Sequence, residues 1–95
     1  MTVVGYAAGA FDLFHVGHLN ILRQAKSRCD LLVAGVVSDE VCLETKGRLP
    51  VVPLAERLEI VSHIGYVDRA VAETSRDRLD IWKEVRFDVF FKGDD

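Results

Sequence analysis

Seven consecutive residues, Leu31 to Val37, carry no polar side chain, and this run constrains the fold more than any other stretch. Alternation of apolar and polar residues would mark a strand with one wet face. Leu31, Leu32, Val33, Ala34, Val36 and Val37 instead require cover on both faces, as a central strand of a parallel sheet receives. The strand is predicted over Asp30–Val37. A second run, Val3, Val4, Tyr6, Ala7 and Ala8, predicts another buried parallel strand, which Gly9 breaks. Shorter strands are predicted over Tyr66–Ala72 and Asp88–Phe91. Helical spacing separates these runs. Leu19, Ile21, Leu22 and Ala25 recur from about Val16, and a short helix opens at Ser38-Asp39-Glu40 with Ser38 or Asp39 as its cap. Leu54, Leu58, Val61 and Ile64 form a third helix with Pro53 in its first turn. Leu79, Trp82 and Val85 form a fourth that ends near Arg86, with Trp82 in the core. Thr74 and Asp77 stand before it at capping-box spacing. Alternating strands and helices predict an α/β fold, a Rossmann-like doubly wound parallel sheet in a single domain of 95 residues. Ligands of such sheets bind beyond the carboxyl ends of the strands. Gly9–His18, Ser38–Asp39 and Gly93–Asp95 all follow strands, so one rim should carry them.

A net charge of −3 argues against a general nucleic-acid binder, which shows a basic excess. No run approaches the roughly 18–20 apolar residues of a membrane span. The N-terminus enters a strand without a basic leader, so no signal peptide is expected and the cytoplasm is the expected location. Cys29 and Cys42 form no C-x-x-C pair and are read as reduced, semi-buried thiols.

The chemistry concentrates in Gly9-Ala10-Phe11-Asp12-Leu13-Phe14-His15-Val16-Gly17-His18. A strand, a loop and a helix start aim backbone N–H groups and the positive helix end at one point, which suits an anion. His15 and His18 lie at i and i+3 and can converge on the same phosphate. Gly17 allows close backbone approach, and the small Ala10 leaves room above the strand end. As a bare pair the histidines are equally compatible with surface decoration. A metal site would need more ligands than two. Asp12 is read as orienting the backbone or the histidines. His63 lies on a helix without a partner motif and is read as a surface or interface residue.

The ten-residue string resembles the signature of the nucleotidyltransferase superfamily, whose H-x-G-H motif matches His15, Gly17 and His18. More narrowly it resembles the cytidylyltransferase family, and most closely the glycerol-3-phosphate cytidylyltransferases. The resemblance implies transfer of CMP from CTP to an alcohol phosphate, glycerol 3-phosphate first, giving a CDP-alcohol and pyrophosphate. It implies Mg2+ brought in with CTP, no metal held by the protein itself, and a homodimer. His15, His18 and Lys46 would be catalytic. Gly9, Ala10, Phe11, His15, Gly17, His18 and Asp95 would hold the nucleotide. Asp95 is the better candidate for base contact in Gly93-Asp94-Asp95, which matches the family's G-D-D-W segment. Lys46, Arg48, Arg57 and Arg78 would meet substrate phosphates. Taken without the resemblance, Lys46 and Arg48 are loop cations and Arg78 is an exposed helix arginine. Arg57 has two equal roles open to it, a phosphate ligand or a brace of the loop through a carboxylate. Trp82 as a binding-site aromatic is the lesser alternative to its place in the core.

The match has departures. The tryptophan after G-D-D and the later R-T-x-G-I-S-T-T segment have no counterpart, so the expectation is a C-terminally truncated family domain with four strands of five. Gly65, before Tyr66-Val67-Asp68, stands where the glycerol-phosphate enzymes tend to carry arginine. The Lys-Gly and Glu-Arg features also resemble ethanolamine-phosphate cytidylyltransferases and heptose-phosphate adenylyltransferases. Two alternatives stay open: an adenylyltransferase acting on a sugar phosphate or related acceptor, and a non-catalytic nucleotide-binding fragment.

Overall fold

Each apolar run becomes a strand of one parallel sheet. The computed structural model describes residues 1–92. Its elements run β1 (Val4–Gly9), α1 (Val16–Lys26), β2 (Leu31–Val37), α2 (Asp39–Lys46), α3 (Leu54–Ser62), β3 (Arg69–Glu73), α4 (Arg78–Val85) and β4 (Val89–Lys92). The strand order is β3-β2-β1-β4, every pair parallel. Apolar side chains leave the sheet on both faces. Ala7, Leu32, Ala34 and Val36 pack with Leu22 and Ala25 of α1 and Val61 of α3. Tyr6 and Val33, one residue out of step, pack with Ile81 of α4 on the other face. Helices therefore cover both sides of the central strands, the doubly wound arrangement that the unbroken run in β2 calls for. The chain reverses its direction of travel between β1 and β4, which puts the ligand crevice at their carboxyl ends.

Register is set by one device used three times. Asp30, Asp68 and Asp88 each stand immediately before a strand and reach sideways to the strand beside it. The Asp30 amide donates to Val3 O (2.8 Å) while its carboxylate accepts from Val3 N (2.6 Å). Asp68 does the same with Leu32, at 2.9 and 2.7 Å. Asp88 closes the third such ring on Val4, at 2.7 and 2.8 Å. A one-residue slip would break both bonds of a ring and turn every core side chain to the wrong face. Lys26 also donates to the Asp68 carboxylate at 2.7 Å. That bond and then the Leu32 amide hold the Asp68 carboxyl below the usual carboxylate range.

The structure moves several expected boundaries. β3 starts at Arg69 instead of Tyr66, because Val67 N still closes a turn on Ile64 O and Asp68 serves as the clamp. Asp77 itself caps α4, its carboxylate accepting from Leu79 N at 2.9 Å, so Thr74 is not the cap. Trp82 is not core: it is 38% exposed, while Ile81 is the buried residue of α4. Its indole N–H donates to Phe87 O at 3.2 Å, and the Arg86 guanidinium lies 4.4 Å from its ring centroid. Both contacts hold the indole at the surface. Ser38, not Asp39, caps α2 by accepting from Val41 N. No disulfide joins Cys29 to Cys42.

Candidate active site

The helix start that was read as an anion site is capped by the histidines themselves. His15 is the N-cap of α1, and its Nδ1 accepts the Gly17 N–H at 3.0 Å. His18 returns the bond, its Nδ1 accepting the His15 N–H at 3.2 Å. This is a capping box in which imidazoles replace the usual hydroxyl and carboxylate. A ring nitrogen that accepts carries no proton, so in each neutral imidazole the proton sits on Nε2. The pair thus has two N–H donors at a positive helix end whose first turn holds no acidic residue. The ring centroids are 4.2 Å apart. Phe11 and Phe14 flank His18, at 5.7 and 5.3 Å between centroids, and leave it 8% exposed.

Gly17 owes its place to His15. A Cβ there would stand 2.6 Å from His15 Cε1, so only glycine lets the imidazole fold back onto the helix amide. The close approach expected of a ligand is made by the histidine ring. Phe11 and Leu13 take left-handed backbone, at φ 53° and 50°, which turns the chain from β1 to α1 in a few residues. Phe11 is buried in the core and against His18, and its side chain lines neither cleft described below.

Two clefts open above the strand ends and share Ala10, Cys42 and Lys46. The smaller, about 410 Å³, lies between the β1–α1 loop and residues 48–51, with His18, Lys46 and Arg48 on its walls. The larger, about 590 Å³, spreads over the ends of all four strands from Gly9 to Lys92 and includes Arg78. Lys46 is the last residue of α2, not a loop residue, followed by Gly47 at φ 76° as the left-handed C-cap. A cation there also complements the negative helix end. Arg78 lies 4.2 Å from the centroid of Phe90, stacked at the edge of the larger cleft. His15 and Gly17 stand at the helix start beside the clefts, and neither lines one. Asp95 and the rest of Gly93-Asp94-Asp95 lie outside the described residues.

Arg57 is a brace. Its side chain is fully buried, and four donations use its guanidinium: Nε to Val52 O, Nη1 to Ala10 O and Val37 O, and Nη2 to the Asp39 carboxylate, all at 2.6–2.7 Å. Those acceptors come from the β1–α1 loop, the end of β2, the start of α2 and the segment before α3. These bonds match the second of the two roles open to Arg57, a brace of the loop through a carboxylate. Asp12 complements it by accepting from Val51 N and Val52 N, each at 2.8 Å. Burial pushes the Asp12 carboxyl up, but those two amides, then the Arg57 charge, outweigh it and hold the group low.

Sequence reasoning missed a buried hydrogen-bonded pair behind the larger cleft, which Glu73 lines and Tyr6 does not. Tyr6 is fully buried between Phe87 and Phe90, at 5.4 and 5.7 Å between centroids, and its hydroxyl donates to Glu73 Oε1 at 2.7 Å. The ring crosses β2 directly over Gly35, where a Cβ would fall 1.7 Å from the hydroxyl oxygen. Arg76 and Lys92 also line this cleft. Their position just after strand ends was the signal that could have found them. Gly65 borders open space, so the departure at that position costs no packing. His63 is exposed at the end of α3, its Nδ1 2.8 Å from Glu59 O.

Among the described residues, no helix is long and apolar enough to cross a membrane, and no three metal-ligating side chains gather at one point. The cytidylyltransferase-like family profile matches residues 6–95. An ethanolamine-phosphate cytidylyltransferase of Arabidopsis thaliana is 40% identical over 95% of this chain and 22% of its own length. The bifunctional protein HldE of Acidiphilium cryptum is 38% identical over 97% of this chain and 19% of its own length. An FAD synthase of Pyrococcus abyssi is 39% identical over 92% of this chain and 60% of its own length. The chain thus spans about a fifth of the first two relatives and under two thirds of the third. A crystal structure of the lipopolysaccharide core biosynthesis protein from Thermoplasma volcanium superimposes with a TM-score of 0.88 at 30% identity, over 95% of this chain and 73% of that one. With the sheet, the histidine-capped helix and the matched profile in agreement, the chain belongs to the cytidylyltransferase-like family of nucleotidyltransferases.

Proposed function

We propose that this domain, working in the cytoplasm, transfers CMP from CTP to an alcohol phosphate, with glycerol 3-phosphate the first acceptor to test. One observation carries the reading: two imidazoles with Nδ1 committed to backbone amides, at the start of a helix beside two cation-lined clefts. A phosphate oxygen of the acceptor attacks the α-phosphorus and forms a new P–O bond. The bond to the β-phosphate oxygen breaks, and its electron pair leaves with pyrophosphate. The protein supplies no covalent nucleophile. Its work is to hold two anions in line and to meet the charge that grows on the phosphate oxygens.

In this reading His15 and His18 donate Nε2–H bonds to those oxygens, with Gly9 and Ala10 as the small floor beneath the nucleotide. Lys46, shared by both clefts, neutralises substrate or leaving-group charge, with Arg48 on one side and Arg78 on the other. Asp95 remains the proposed base contact. Magnesium screens the triphosphate charge when bound. In this reading the ion is carried by the phosphates rather than by a protein cage. The homodimer stays a proposal that sedimentation would test.

Calorimetric titration with CTP and with ATP, each with magnesium, tests the base. CTP binding with little ATP binding is the expected outcome. Similarity to an FAD synthase favours a second reading, in which the transfer is kept and the nucleotide is ATP; preferential ATP binding would establish it. His18→Ala is expected to lower turnover by about 10²–10³-fold with little change in nucleotide affinity. Unchanged turnover would remove the histidines from the mechanism.

A further inference from the structure

Residues 48–51 form one wall of the smaller cleft. Apolar burial does not fasten this strap, because Leu49 and Val51 are 60% and 73% exposed. Polar bonds tie it at both ends. At the far end the Val51 and Val52 amides donate to the two oxygens of Asp12, each at 2.8 Å, and Val52 O accepts from Arg57 Nε at 2.7 Å. At the near end Gly47 is the left-handed C-cap of α2, its amide donating to Leu43 O at 2.9 Å. Arg48, Leu49 and Pro50 are the residues between these two fixings. Proline locks its own φ and restricts the residue before it to extended backbone. The place of Arg48 therefore follows from where the strap is tied. Asp12 is itself aimed from both sides. Phe11 and Leu13 hold left-handed backbone at φ 53° and 50°, conformations that persist only where the surroundings impose them.

Resting on the reading of Arg48 as a ligand of substrate phosphate, we propose that Asp12 is the positioning residue for Arg48. Its carboxylate ties down the strap, so that the Arg48 guanidinium and His18, which line the same cleft, serve one phosphoryl group. An arginine on a loose strap must give up both backbone and side-chain freedom when it binds. On a tied strap the backbone share is already lost, and the phosphate meets a preorganised partner. Two sources supply such a phosphoryl group, the acceptor and the triphosphate tail that leaves as pyrophosphate. A guanidinium recognises either in the same way, by paired N–H bonds to two oxygens. Asp12 touches no substrate in this scheme and acts through two backbone amides. A merely structural aspartate would weaken binding by the same factor whether or not Arg48 is present. A positioning residue loses its effect once Arg48 is gone.

A double-mutant cycle of Asp12→Asn and Arg48→Ala tests this, read by titration calorimetry of the chain with pyrophosphate and with glycerol 3-phosphate. Asparagine keeps the shape of Asp12 but sets an NH2 group against one of the two amides. Arg48→Ala is expected to weaken at least one of the two ligands about tenfold, the worth of a hydrogen bond between charged groups. The ligand that weakens identifies the source of the phosphate. Asp12→Asn should weaken the same ligand by a similar factor, and the double variant should bind no more weakly than Arg48→Ala alone. Asp12→Glu keeps the charge and pushes the oxygens out by a methylene, so it serves in the same cycle where the asparagine variant fails to fold. Losses that multiply to about a hundredfold in the double variant, or binding by the Asp12 variant equal to the parent's, would overturn the proposal. Unchanged binding of both ligands by Arg48→Ala would overturn the reading of Arg48 on which it rests. Binding of neither ligand by the parent would overturn the phosphate reading of the cleft, a result distinct from both.

Discussion

His15 caps α1 through Nδ1, and in the proposed transfer its Nε2 donates to a phosphate oxygen. The two can be separated by substitution. Serine is a good N-cap and offers no comparable reach, so His15→Ser is expected to hold stability while turnover falls about 10²-fold. His15→Ala should lose the cap as well, costing about 1 kcal/mol, or roughly 4–8 °C in Tm. Turnover of His15→Ser within about threefold of the parent would reduce His15 to a cap. Gly17→Ala tests the same geometry from the other side. Alanine is intrinsically the better helix residue by about 1 kcal/mol, yet its methyl would displace the His15 ring, 2.6 Å away. Intact helicity by circular dichroism with a turnover loss like that of His15→Ser is expected. Full activity would show that the ring need not lie over the helix amide. The family was thus legible in the motif, but the reason for its glycine was not, because it depends on where one rotamer points.

At the scale of elements, Arg57 joins four chain segments that each end or begin at the site. Replacement by methionine keeps much of the volume and leaves Ala10 O, Val37 O and Val52 O without these donors and Asp39 without its partner. A loss of about 3–5 kcal/mol is expected, which would lower Tm by more than about 10 °C in a domain of this size. Thermal denaturation checks it, and a shift of only a degree or two would mean the clefts hold their shape without the brace. The sequence could place Arg57 early in a helix facing the loop. It could not say whether the guanidinium turns outward to a phosphate or inward to carbonyls, since that depends on which backbone oxygens the folded loops leave unpaired. The strands were legible for the opposite reason. An unbroken apolar run has one stable destination, whereas α4 carries apolar residues on more than one face, and the choice between Trp82 and Ile81 fell to the indole N–H and its need for a partner.

For the molecule as a whole, carboxyls of opposite tendency shape the dependence of stability on pH. Asp12 and Asp68 titrate lower in the folded chain than in the unfolded one. Their contribution is complete above the unfolded carboxylate range and is lost as pH falls below about 4. Glu73 titrates higher when folded, burial being the largest cause, so it costs stability as pH rises above about 4.3. Denaturant titrations across this range are expected to show a steep acid limb for the parent. Glu73→Gln, which keeps a partner for Tyr6, should gain on the parent between about pH 4 and 7 and match it at lower pH. An unchanged difference across that window would mean Glu73 titrates alike in both states. The three aspartate rings bear on a different matter, the order in which the sheet can assemble. Each ring joins an incoming strand to a partner that precedes it in the chain: Asp30 to Val3, Asp68 to Leu32 and Asp88 to Val4. On a ribosome, where the chain emerges from its N-terminus, every strand after the first would find its registering partner already synthesised, so the sheet can grow strand by strand without waiting for the rest.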